Sequence, residues 1–187
     1  MSILPNRIAI LGLGNPVLRD DAVGLAVTEE LESLIADNPI TGVDILASTR
    51  AGFELLDLLT GYDKAIIVDA FLSTDPQPGR IKRMGMADIT GNARLNCVHE
   101  INLGTALALA EKLGIPMPGH IEIFAVEVSD VYTLSEEMSD DVAAVVKPLA
   151  MEIYERAEHL AAASDLKSPS DKNPDEEPRQ PFYAPPE

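Results

Sequence analysis

Apolar and polar positions follow two different periods along this chain, and the changes of period mark its elements. Residues 8–11 are an unbroken apolar run that stops at Gly12 and Gly14. A short apolar run without alternation is expected of a strand covered on both faces. From about 21 to 36, Val23, Val27, Leu31, Leu34 and Ile35 recur every three or four residues, the stripe of a helix laid on a sheet. Pro39 ends that helix, because proline disfavours helical backbone in the residue before it. A second strand is expected over 43–46, a loop over 48–52, and a short helix over 53–59.

Residues 64–69 form another continuous apolar run, ending in Asp69. Two prolines and a glycine between 74 and 79 make a turn, and 80–84 suit an edge strand. Leu103, Ala106, Leu107 and Ala110 mark a helix over 100–113 with Gly114 as its stop. Ile121, Ile123 and Ala125 line one face of a last strand, 121–126. The final helix starts at Ser139, an N-cap followed by two acids that suit the helix dipole, and runs to about 162 with a kink at Pro148. Residues 128–138 carry no distinctive motif. Strands alternating with amphipathic helices in the order βαβαββαβα predict a three-layer α/β/α sandwich around a mostly parallel twisted sheet of about five strands. Residues 1–162 are expected to form this single domain. Residues 163–187, rich in proline and charge, are expected to be a disordered tail.

With 187 residues, 46% of them hydrophobic and none of them Trp, the chain can bury one aliphatic core. A net charge of −17 argues against a nucleic-acid-binding surface, which needs basic clusters. One cysteine, Cys97, rules out an internal disulfide and suits a reducing compartment. No apolar run approaches the roughly 18 residues of a membrane span, and none resembles a signal peptide. The expectation is a cytoplasmic protein with no membrane partner, a monomer or weak oligomer.

Three polar positions stand where strand or loop meets helix: Asp20 with Asp21, Asp69, and His99. If the strands ending near Gly12 and Asp69 are parallel, both carboxylates lie at the carboxyl edge of the sheet, where open α/β sheets place their sites. Two carboxylates and an imidazole suit a borderline divalent metal such as nickel, zinc or iron. A helix entrance favours the neutral imidazole that a metal requires. Each residue also has a plainer role open to it. Asp20 or Asp21 can be a simple N-cap, Asp69 can bind loop amides, and His99 can be a cap or surface residue. Cys97 is read as a core cysteine, and His120 and His159 have no partners at informative spacing. Gly12 and Gly14 fall short of a dinucleotide fingerprint, because Val17 stands where its third glycine belongs.

Gly12, Gly14, Asn15, Asp20, Asp21 and Gly24, with Asp69 closing an apolar strand and the run from Cys97 to Glu100, resemble the hydrogenase maturation endopeptidases over about residues 7–160. The resemblance implies a phosphorylase/hydrolase-like α/β fold. It implies an aspartic-type endopeptidase that removes the C-terminal extension of a nickel–iron hydrogenase large-subunit precursor after nickel insertion. On that resemblance Asp21, Asp69 and His99 are both the catalytic and the metal-contacting residues, and Gly14, Asn15, Asp20, Arg50 and Gly52 are substrate-binding. No cofactor is permanently bound, since the Ni²⁺ belongs to the precursor. Two departures stand out: Asp21 occupies a position where many relatives have Glu, and Ser48, Thr49 and Arg50 replace a Gly-Gly-Thr loop. The alternatives are a nickel-binding assembly chaperone that does not cut, a dinucleotide-binding oxidoreductase, and a peptidyl-tRNA hydrolase. The last shares the opening Gly-Leu-Gly-Asn-Pro but needs a basic groove that this acidic chain lacks.

Overall fold

The computed structural model describes residues 6–49, 54–85, 88, 96–97 and 103–163. In chain order the elements are β1 (Ile8–Leu13), a 3₁₀ turn (Arg19–Ala22), α1 (Val23–Asp37), β2 (Val43–Ser48), α2 (Glu54–Leu59), β3 (Lys64–Leu72), β4 (Ile81–Gly85), β5 (Asn96–Cys97), α3 (Leu103–Leu113), β6 (His120–Val128) and α4 (Asp140–Ala162). The sheet runs β2-β1-β3-β6-β4, with β5 paired to β3 off this path. The first four strands of that order are mutually parallel, and β4 pairs antiparallel with β6 at the edge. The predicted α/β/α architecture is therefore the observed one, with a sixth, two-residue strand added.

All six residues of β1 are buried, as the unbroken apolar run requires. One face of the sheet packs Ile8, Ile10, Ile66 and Val68 against Val23, Val27 and Leu31 of α1 and Leu149 and Ile153 of α4. The other packs Leu11, Ala65, Ile67 and Phe71 against Leu55 and Leu59 of α2 and Leu107 of α3. Each fully buried aliphatic side chain contributes about 1.5–3 kcal/mol relative to exposure.

Two boundaries differ from expectation. The helix predicted from residue 21 begins as the 3₁₀ turn, so Asp20 and Asp21 precede α1; Leu18 and Ala22 hold the N-cap positions, with no side-chain cap bond. Strand β3 continues three residues past Asp69, because β6 pairs with it as far as Leu72 and β5 meets it at Phe71 and Leu72. Helix α4 has the expected span, with Ser139 as its N-cap, and runs through Pro148, which is exposed; the missing N–H thus lies on the solvent side, where water can satisfy the freed carbonyl. Of the predicted tail, only Ala163 is among the described residues.

Candidate active site

From β1 the chain crosses by α1 to β2 on one side, and from β3 it proceeds to β6 on the other. The carboxyl ends of β1 and β3 therefore flank a topological switch point, the usual place for a crevice in an open α/β sheet. Glycines let the elements close there. A Cβ on Gly14 would strike the carbonyl of Asp21, and one on Gly24 would strike the carbonyls of Leu13 and Val68. The start of α1 can sit directly on β1 and β3 only while both positions lack a side chain. This contact carries the 3₁₀ turn to within 8 Å of β3, measured between Cα atoms.

Three carboxylates are buried in this region: Asp20 at 0%, Asp21 at 1% and Asp69 at 4% exposure. Acidic side chains are almost never buried to this degree without partners. Asp69 shares its face of β3 with Ile67 and Phe71, the face covered by α2 and α3, and its Oδ1 accepts the Ala70 N–H at 2.8 Å. That amide belongs to the strand itself and not to a loop.

Asp20 does something that its spacing did not announce. Its Oδ1 accepts the N–H of Ser139, the N-cap residue of α4, at 2.7 Å. Its own N–H donates to the carbonyl of Asp130 at 3.2 Å, and the Arg19 N–H donates to that of Thr133 at 3.1 Å. The turn is thereby fastened to the segment 129–139. Gly14 is also tied down, its N–H donating to the Ser48 carbonyl at 3.2 Å. Asn15 closes an Asx turn, its Oδ1 accepting the Val17 N–H at 3.2 Å.

Strand β6 occupies one edge of β3 along its whole length, so β1 and β5 share the other edge. Strand β1 pairs through Val68, and Cys97 lies opposite Phe71. The backbone at Cys97 is thus two positions of β3 from Asp69 and lies in the lane that β1 vacates. His99, Arg50 and Gly52 fall outside the described residues. Among the described residues, no group of three His, Cys, Asp or Glu side chains could hold a metal ion. A separate groove of about 440 Å³, lined by residues that include Arg83, His120 and Glu122, lies at the amino end of β6, away from the switch point. No helix among the described residues is long and apolar enough to cross a membrane.

Fold and site together define an open α/β domain with an acidic centre at its switch point. Residues 25–156 match the family model described as hydrogenase maturation protease, and the chain belongs to that family. The hydrogenase 2 maturation protease of Escherichia coli is 40% identical over 75 residues, 39% of this chain and 43% of the relative. The hydrogenase expression/formation protein HupD of Bradyrhizobium diazoefficiens is 28% identical over 131 residues, 67% of this chain and 65% of the relative. The chain thus spans less than two thirds of each of these curated relatives. Among solved structures, the hydrogenase maturating endopeptidase HybD from Escherichia coli superposes with a TM-score of 0.66 at 25% identity, covering 82% of this chain and 93% of that one.

Proposed function

We propose that this chain is an endopeptidase that cuts the C-terminal extension from a nickel–iron hydrogenase large-subunit precursor once nickel is in place. The observation that carries the reading is the burial of two carboxylates, Asp21 and Asp69, on adjoining elements at the switch point of a chain of this family. His99 completes the set. Two residues beyond Cys97 span at most about 7 Å, and the lane that β5 enters leads toward the end of β1 and Asp69.

In this reading the two carboxylates and the imidazole recognise the nickel as part of the substrate and set the scissile peptide against the sheet edge. Water adds to the peptide carbonyl and the C–N bond breaks. The mature chain keeps the new carboxylate, and the extension leaves with a free amine. Either carboxylate can take the water's proton, since both stand at the edge where the peptide lies. Asp20 acts at one remove, through Ser139. Gly14 and Asn15 shape the loop, and Arg50 contacts the departing peptide. The site requires no resident cofactor, and the protein works in the cytoplasm.

The test is incubation of the purified chain with nickel-loaded precursor, followed by the mass of the large subunit. Loss of the extension is expected, with nickel-free precursor left intact. Asp21→Asn, Asp69→Asn and His99→Ala should each slow processing by about 100-fold or more. Normal processing by Asp69→Asn or His99→Ala refutes the assignment, and binding without shortening turns the reading into a chaperone.

A further inference from the structure

The segment 129–139 is fastened to the carboxylate turn more thoroughly than a surface loop needs to be. Besides the bonds of Arg19 and Asp20, the Ser135 N–H donates to the Val17 carbonyl at 3.1 Å, and Leu18 and Leu134 form an antiparallel bridge. Val131 is 3% exposed and Met138 packs against the core, so the loop is anchored near both ends. Asp130 stiffens its tip by accepting the N–H groups of Tyr132 and Thr133 at 3.1 and 3.0 Å. A bond from the Thr133 side chain foremost, then these backbone bonds and the nearby Arg19 charge, hold the Asp130 carboxyl below the usual carboxylate range against the opposing effect of desolvation.

On this stiff frame three large apolar side chains point outward: Tyr132 at 80%, Leu134 at 79% and Val17 at 47% exposure. The Leu18–Leu134 bridge and the Ser135–Val17 bond join the two strips of chain that carry them. Glu136, Glu137, Asp140 and Asp141 are exposed beside them and form an acidic rim. A clustered apolar patch with a charged rim is the anatomy of a docking surface, and its prior ordering lowers the entropy cost of binding.

We propose that Val17, Tyr132 and Leu134 dock the folded body of the hydrogenase precursor, on a face that is apolar at its centre and basic at its margin. The proposal rests on the function given above and adds where the substrate is gripped. Charge selects this occupant: a second copy would set one acidic rim against another on chains of net charge −17. Because Val17 belongs to the loop that leads into Asp21, a body held here lies beside the cutting edge, and its C-terminal segment can reach the carboxylates.

The experiment compares the wild type with the Tyr132→Ser, Leu134→Ser double variant and with the Glu136→Lys, Glu137→Lys double variant. Processing rate is measured against precursor concentration, together with direct binding of the precursor and sedimentation of the protein alone. The altered side chains are exposed, so thermal unfolding should be unchanged. The apolar variant should raise KM by about 10-fold or more with kcat within about twofold. The charge reversal should weaken binding mainly at low salt, about 0.05 M, and far less at about 0.5 M. If the wild type cuts and both variants match it, the docking surface is refuted while the protease stands. If the wild type binds without cutting and the variants bind less, docking stands and the protease reading falls. If the wild type neither binds nor cuts, both fall. A wild-type dimer that the apolar variant turns into monomers makes the patch a self-interface and overturns the proposal.

Discussion

Asp20→Ala removes the side chain that joins the carboxylate turn to the last helix. The direct loss is one hydrogen bond from the Ser139 N–H to a side-chain carboxyl oxygen at 2.7 Å, with the side chain fully buried. Bonds to charged groups contribute about 1.5–3 kcal/mol. Against this, Asp20 Oδ2 is buried with no hydrogen-bond partner among the described residues, so deleting the carboxylate also relieves a desolvation cost. The net loss should therefore fall near the lower end, about 1–2 kcal/mol. For a chain of this size that is a drop in Tm of about 2–8 °C. Hydrogen exchange reads the same event locally: the amides of Arg19, Asp20 and Ser135 should lose protection more than those of β1. Asp20→Asn keeps an oxygen acceptor and should lose less. An Asp20→Ala protein with unaltered Tm and unaltered protection of these amides would refute the role.

Gly24→Ala should cost about 1–3 kcal/mol, because the added methyl meets the fixed carbonyls of Leu13 and Val68 and pushes α1 off the sheet; chemical denaturation checks this. Glu122 accepts hydrogen bonds from Arg156, which, helped by His120, hold its carboxyl below its ordinary value of 4.5 against the opposing effect of burial. A depressed folded pKa gives stability that is present above about pH 4.5 and lost as pH falls through the folded value. Glu122→Gln should thus be less stable than wild type near neutral pH, by no more than about 1 kcal/mol for so solvated a pair, and equal to it in acid. Denaturation at both pH values checks the sign.

Most of the fold was legible because its central strands are buried on both faces and its helices on one. Strands β1 and β3 showed as continuous apolar runs, α1 and α3 as stripes at helical spacing, and α4 by its N-cap and the acids after it. What escaped was short or set by contacts distant in sequence. Strand β5 is two residues long, and no pattern resolves two residues. The extension of β3 past Asp69 depends on β5 and β6 reaching it, which no local signal encodes. The 3₁₀ turn that replaced the expected helical start is held by contacts distant in sequence, among them the Asp20 bond to Ser139, 119 residues further along the chain.

The same distant contact gives the paired acids different surroundings. Read along the chain, Asp20 and Asp21 form one acidic feature, and both were expected at the site. In a 3₁₀ turn of about three residues per turn, neighbouring side chains diverge by about 120°. Two consecutive acids there leave the turn in different directions. Asp20 serves the frame, binding the entrance of α4, and the backbone on either side of it binds the loop that presents Tyr132 and Leu134. A docked partner that moved this loop would thus press directly on the turn that carries Asp21. Grip and cutting edge are coupled through these backbone bonds and through the Asp20 carboxylate that holds the entrance of α4 beside them, and substitution of Asp20 should raise KM as well as lower Tm.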